Sequence, residues 1–383
     1  MPPLQPEEDR PAGPADRPAA TALEQELVEQ VLGSGPLTMD QLMQAALYHP
    51  RHGYYTTRTP LGAAGDFITA PEVSQMFGEL IGLWLAARWR EMGSPDPVRL
   101  VELGPGRGTL MADAVRASRV LPAFRAAIRV HLVELNPHLR EAQARALDSA
   151  GLPVTWHDSL DAVPAGPTLL VANEFLDCLP VRQLVWQGAH WREKVVGVRD
   201  GRLAAGLGPP ATLPDPHGRL AAIQLPEGAV IEVMPGLGAF VAQLAVRAGT
   251  APLSALVIDY GSSRSGPGDT VQALWRHTKV DPLDRLGEAD LTAHVDFERL
   301  LQLGQAAGLQ PAGPVTQGAF LMALGLEARA STLIRANPSC TSDVMSAVER
   351  LAGEAYMGAL FKVACLSSPG LAPPPGIDGT TAP

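Results

Sequence analysis

The sequence is poor in cysteine: Cys178, Cys340 and Cys365 are its only three, and they stand far apart. That scatter argues against a disulfide framework and against the paired spacing of a zinc site, and it suits a reducing compartment. No block of lysine or arginine occurs and the formal net charge is -10, so there is no basic footprint for a nucleic acid, and a cationic partner fits better. No apolar run reaches the length of a membrane span, and the first residues lack the apolar core of a secretory signal, so no membrane insertion is expected. His49 and His52 stand at i, i+3 without a cysteine or further histidine nearby; they read as surface or packing residues, and no metal is expected. There is no internal repeat and no signal for an oligomeric state. At 383 residues the chain can bury the core of one large domain or two smaller ones.

Against these absences, one stretch is rich in information. Val98 to Leu103 is a short, largely apolar run that predicts a buried strand. Gly104-Pro105-Gly106-Arg107-Gly108 follows, and Thr109 to Val115 predicts a helix. Strand, glycine turn and helix make the first unit of a nucleotide-binding α/β sheet, with glycines that let the backbone turn sharply and a ligand come close. The third glycine comes one residue too early for the dinucleotide fingerprint G-x-G-x-x-G, and no Lys-Ser/Thr follows to make a P-loop. Glu102, at the carboxyl end of the strand, suits the cationic sulfonium and ammonium of S-adenosylmethionine better than a pyrophosphate. The motif therefore points to a class I methyltransferase: a Rossmann-like parallel sheet with helices on both faces. A tight turn with no ligand remains the competing reading.

Residues 1–20, with six prolines and no aromatic, read as a disordered tail, and their four acids speak against a transit peptide. Helices are predicted over Leu23–Leu32 and from Thr38, where Gln41 completes a capping box. A turn with paired aromatics (Tyr54, Tyr55) and then Gly65-Asp66-Phe67 come next; Asp66 reads equally as facing a cationic ligand and as making no such contact. A long amphipathic helix runs from Pro71 to about Glu91. Ile128 to Glu134 is the second strand, and an acid ending it is placed for ribose hydroxyls. Asn136 and Pro137 open a helix, Leu152 to Trp156 is a third strand, and Asp158 after it either accepts from an adenine amine or caps a turn. Thr168 to Asn173 is the fourth strand, whose end faces the transferable methyl group in this fold. Asn173, Glu174 and Asp177 are thus the polar groups placed to hold an incoming nucleophile, and two close carboxylates suit a guanidinium. A solvated loop with capping acids is the competing reading.

Residues 181–206 alternate as an inserted antiparallel meander, and 207–220 read as a Pro/Gly-rich loop. Pro235–Ala248 predicts a helix, Ala255–Gly261 a fifth strand, Leu291–Phe297 the start of another helix, and Ala359–Leu366 a late antiparallel strand. The expected organisation is a tail (1–20), an N-terminal helical extension with a cofactor-covering loop (21–95), a methyltransferase domain (96–366) with substrate-side insertions over about 181–232 and 262–330, and a disordered tail (367–383).

Several motifs in order resemble the MidA-like methyltransferases, whose best-known members are mitochondrial complex I assembly factors. They are Leu47-Tyr48-His49-Pro50 with Gly53-Tyr54-Tyr55, Gly65 to Glu72, Val101 to Thr109, Asn173 to Asp177, Asp259-Tyr260-Gly261, Ala289 to Phe297 and Gln317 to Leu321. The resemblance spans roughly residues 24–366. It implies S-adenosylmethionine as cofactor and ω-N methylation of an arginine in a protein substrate, in the family's case a complex I subunit. It also implies that Glu102, Gly104, Pro105, Gly106, Gly108 and Glu134 form the cofactor turn and ribose site, with Gly65, Asp66 and Phe67 beside the cofactor. Mitochondrial members begin with a targeting segment that this sequence does not show, so a bacterial cytoplasmic location is expected ahead of a mitochondrial matrix. The competing functions are a cofactor-binding assembly scaffold, a small-molecule methyltransferase and, more remotely, a nicotinamide dehydrogenase.

Overall fold

In the computed structural model, residues 17–57, 69–213 and 225–377 are described. The expected site residues Gly65, Asp66 and Phe67 and the ends of both expected tails lie outside them.

Helices α1 (Ala22–Ser34) and α2 (Met39–Tyr48) come first, the second opened by the Thr38–Gln41 capping box. The helix expected from Pro71 is broken. Ala70–Val73 makes one turn, Ser74 goes extended at φ -164°, and α3 (Gln75–Glu91) starts anew with the Ser74 hydroxyl accepting from Met76 N. A serine that can cap offers the backbone an alternative to continuing the helix.

The chain then gives β1 (Val98–Leu103), α4 (Thr109–Ala117), β2 (Ile128–Val133), α5 (Pro137–Leu147), β3 (Val154–His157) and β4 (Thr168–Asn173). The meander follows as β5 (Arg182–Trp186), β6 (Trp191–Arg199), β7 (Arg202–Ala211) and β8 (Val230–Val233). Its second turn is at Asp200 and Gly201, both at positive φ (52° and 75°), as a two-residue hairpin of the primed type requires. Strand β7 runs to Ala211, so the first residues of the expected Pro/Gly loop pair with β6 instead.

Helix α6 (Gly236–Ala248) leads to β9 (Leu253–Ser262), and β10 (Gln272–Trp275), β11 (Thr278–Val280) and β12 (Asp290–Thr292) form a small sheet. The helix expected from Leu291 begins only at Phe297, as α7 (Phe297–Ala306), because Asp296 is its N-cap and accepts from Arg299 N, while Leu291 pairs in β12. Strand β13 (Gln310–Thr316), helices α8 (Gln317–Ala323), α9 (Leu326–Ala336) and α10 (Thr341–Ala352), and β14 (Phe361–Ser367) complete the described chain. Residues 368–377, expected as a tail, are a packed strap: Trp84 Nε1 donates to Pro375 O at 3.0 Å, and Ile377 is fully buried.

The main sheet has the order β13-β14-β9-β4-β1-β2-β3. Strands β9, β4, β1, β2 and β3 are parallel, and β14 runs antiparallel to both its neighbours. Strand order reverses between β1 and β4, so their carboxyl ends open a crevice where ligands bind in such sheets. One face of the sheet packs on α3, α4 and the C-terminal helices, and the other on α6 and α7. A third core joins α1 and α2 to the meander and the small sheet. The helices of the expected 21–95 unit join different cores, α1 and α2 that of the meander and small sheet and α3 that of the main sheet. No helix among the described residues is long and apolar enough to cross a membrane.

Gly78 and Gly82, one turn apart on α3, let it touch α4. A Cβ on Gly82 would lie 2.7 Å from the Ala114 backbone, and one on Gly78 2.6 Å from Asp113 Cβ. Gly82→Ala is accordingly expected to lower stability by about 1–3 kcal/mol through overpacking, despite the better helix propensity of alanine. Urea unfolding checks it, and a gain in stability would show that the helices part easily.

Candidate active site

The crevice is a cavity of about 470 Å³ at the carboxyl ends of β1, β2 and β4. Of the residues singled out in the sequence, Glu102, Gly104, Pro105, Gly106, Glu134, Asp158, Asn173, Glu174 and Asp177 all line it. Gly108 does not; it opens α4 at φ 83°, and a Cβ there would meet Gln143 at 3.2 Å, so its role is helix packing. Gly104 and Gly106 take φ of 59° and 54°, where a side chain would be strained, and a Cβ on Gly104 would press on Phe175 at 3.0 Å.

On the turn's β1 side, Glu102 is buried, and its Oε2 has no hydrogen-bond partner among the described residues. Burial pushes its carboxyl up to about 8. An unpartnered buried carboxylate oxygen on a cavity wall is the mark of a site built for a cationic or hydrogen-donating ligand.

At the end of β2, Glu134 is held by both oxygens. Oε1 accepts from Asn136 N at 2.8 Å and Oε2 from Gln143 Nε2 at 3.1 Å. Burial raises its pKa, and these bonds oppose the rise. Gln143 also donates to Gly106 O at 2.8 Å and accepts from Trp156 Nε1 at 2.8 Å, so one amide ties the glycine turn, Glu134 and β3 together. No local pattern signals this role, because Gln143 lies mid-helix in a polar stretch. Asp158 is mostly exposed and pairs with Arg140 at 2.5 Å, which neither of its expected roles included.

At the end of β4, Glu174 sits at φ 51°, a left-handed conformation uncommon for a side-chain-bearing residue. Its backbone N donates to Ile258 O at 2.9 Å, and its Oε1 accepts from Ala70 N and Asn173 Nδ2, each at 3.1 Å. Burial first, then the charge of Asp177, pushes it up to about 7. Asp177 is buried, which raises its carboxyl to about 6. Asp259, wholly buried beneath them, accepts from the backbone N of Phe175, Leu176 and Asp177 through one oxygen, at 3.1, 2.9 and 3.2 Å. Its other oxygen accepts from Tyr260 N at 2.9 Å. The loop carrying the two acids is thus pinned along three successive residues.

The opposite wall comes from distant sequence. Tyr55 OH donates to Asp290 at 2.8 and 3.0 Å, Tyr48 OH donates to Cys178 O at 3.3 Å, and all four residues line the cavity. Asn136 Nδ2 donates to Tyr55 O at 2.9 Å, which joins this wall to the end of β2. Among the described residues no group of histidine, cysteine and acidic side chains could hold a metal ion.

A family model of S-adenosyl-L-methionine-dependent methyltransferases matches residues 80–315. The Drosophila melanogaster mitochondrial protein arginine methyltransferase NDUFAF7 homolog is 35% identical over 378 residues, covering 89% of this chain and 84% of its own. The Homo sapiens mitochondrial protein arginine methyltransferase NDUFAF7 is 34% identical over 376 residues, covering 91% and 83%. A crystal structure of a Burkholderia thailandensis protein bound to S-adenosyl-homocysteine superposes with a TM-score of 0.77 at 29% identity, covering 94% of this chain and 93% of its own. The expected bacterial cytoplasmic location is corrected by these relatives, since the curated ones are mitochondrial proteins.

Proposed function

Because the chain belongs to this family of S-adenosyl-L-methionine-dependent methyltransferases, we propose that it methylates an arginine side chain of a protein, with Glu174 and Asp177 holding the guanidinium. The observation that carries the reading is the strained, pinned acidic loop. Glu174 at φ 51° and buried Asp177 share a cavity with Asn173, whose Oδ1 is buried without a partner among the described residues. Two carboxylates and an amide oxygen form a set of acceptors, and a guanidinium carries five N–H donors and no acceptor.

The cavity's residues fit the cofactor. Glu102 Oε2 offers an unpartnered acceptor to its cationic portion, Glu134 is oriented for ribose hydroxyls, and the bare turn at Gly104 and Gly106 admits close approach. When bound, S-adenosylmethionine supplies a methyl group on a positively charged sulfur. The chain's part is orientation and charge. Glu174 and Asp177 fix the guanidinium plane so that one nitrogen faces the methyl group, and Glu174 takes the proton that this nitrogen loses on methylation. Arginine of a protein is the acceptor in the names of the relatives, and the resemblance makes a respiratory complex I subunit the first protein to try.

The test uses extract of cells lacking this protein, purified enzyme and methyl-labelled cofactor. A labelled protein band that yields methylarginine on hydrolysis is the expected result; label confined to small molecules or to methyl-lysine overturns the reading.

The pH dependence has a definite sign. Protonated Glu174 neither pairs with guanidinium nor takes its proton, so acidity removes activity. Acceptor kcat/KM is expected to rise with pH, about tenfold per unit between Asp177's value of about 6 and Glu174's of about 7 and more steeply below, and to level off above. A flat profile between pH about 5 and 8 would remove Glu174 from that role.

A further inference from the structure

The molecule spends a buried hydroxyl where the reaction has not yet used one. Tyr260 lies on β9, two residues beyond Ile258, which stands opposite Asn173 in the sheet. Its ring meets His294 edge-on at 5.6 Å and Phe361 at 5.5 Å, with interplanar angles of 83° and 68°. These contacts hold the ring against β14 on one side and the loop before α7 on the other. The residue is 8% exposed and lines the same cavity as Glu174 and Asp177. Its hydroxyl nevertheless has no hydrogen-bond partner among the described residues. Asp177 and Thr292 are its polar neighbours and interact with the hydroxyl, but neither meets it in the geometry of a full hydrogen bond.

A buried hydroxyl left unpaired lowers stability, and a phenylalanine of the same shape would avoid that loss. Such a group persists where a ligand completes it. One further buried atom on the cavity wall shares the condition, Asn173 Oδ1. An amide oxygen only accepts, and a hydroxyl whose proton turns toward the Asp177 carboxyl keeps a lone pair that accepts, so the missing partner is a donor. With Glu174 and Asp177 the set asks for a cation carrying several N–H groups in a plane. An ammonium brings three donors from one point, whereas a guanidinium spreads five around its rim.

We propose that Tyr260 belongs to the acceptor subsite, its hydroxyl oxygen accepting an N–H of the substrate guanidinium and so favouring arginine over lysine. This rests on the arginine reading given above and deepens it.

The experiment compares the full-length protein with Tyr260→Phe, which keeps the ring and its two edge contacts. Calorimetry measures S-adenosyl-homocysteine binding, and then binding of ethylguanidinium to the protein saturated with S-adenosyl-homocysteine. Thermal unfolding reads stability. The expected result is ethylguanidinium binding weakened fivefold or more (about 1 kcal/mol) with S-adenosyl-homocysteine affinity within about twofold and a melting temperature that does not fall. Unchanged ethylguanidinium affinity in the variant overturns the proposal and leaves the arginine reading intact. Absence of ethylguanidinium binding to the unaltered protein also overturns it; the arginine reading is then decided separately by whether labelled extract yields methylarginine. A variant that loses S-adenosyl-homocysteine binding or melts early shows a structural role for the hydroxyl instead and overturns it too.

Discussion

Glu174→Gln is expected to lower methyl transfer by roughly 100- to 10,000-fold, the range for removing a positioned acid-base group, while cofactor affinity stays within about twofold. Glutamine is the cleaner substitution, for a reason visible in the structure. Ala70 N and Asn173 Nδ2 both donate to Glu174 Oε1 at 3.1 Å, and a glutamine carbonyl can go on receiving them. Alanine would strand both donors, one of them the backbone of fully buried Ala70, and mix a local loosening with the chemical loss. The readouts are incorporation of labelled methyl into extract protein and calorimetric binding of S-adenosyl-homocysteine. A variant that keeps a tenth or more of the activity would remove Glu174 from the reacting centre and move the weight to Asp177.

The second large effect is at Asp259, which touches nothing in the cavity but carries the loop that does. Its two oxygens take four backbone donors, from Phe175, Leu176, Asp177 and Tyr260. Asp259→Ala leaves all four buried without that acceptor, and a loss of about 3–5 kcal/mol is expected, as for removing one partner of a buried charge-assisted network. Asp259→Asn keeps one oxygen and turns the other into a donor, so it should lose less stability yet still misplace the loop. Urea unfolding separates the two, and activity should fall in both because Glu174 and Asp177 lose their register. An unchanged urea midpoint for the alanine variant would mean that the loop holds its own shape without Asp259.

Much of this site is written locally. The run Val98 to Thr109 specifies strand, turn and helix at once, through apolar periodicity and glycines that take the positive φ the turn needs. Glu134 and Glu174 were visible because each follows a strand, and strand ends face the crevice. What stayed hidden depends on contacts between distant segments. Tyr55 meets Asp290 across 235 positions, and no local pattern announces such a pairing. Residues 368–377 looked like a tail because proline dominates them. Proline removes backbone donors but leaves carbonyls, and the fully buried Arg88 and Trp84 donate to two of these, Ala372 O at 2.7 Å and Pro375 O at 3.0 Å. The Ser74 break does not show in the apolar spacing, which continues through it, while the capping geometry that wins is a property of one side chain.

The third core sets a timetable for the newborn chain. Helix α1 is made before every strand it packs against, with Leu23, Leu27 and Val31 facing a core that α2, the meander and the small sheet complete. Buried Glu24 finds Arg202 only 178 positions later, and Arg17 finds Asp284 after 267. At roughly 5–20 residues per second, the opening helices wait on the order of ten to fifty seconds with that apolar stripe uncovered. The main sheet is partly built by then, so this early segment is among the last to dock. A holdase that binds short apolar helices should therefore matter more for the yield of this protein than for its final stability.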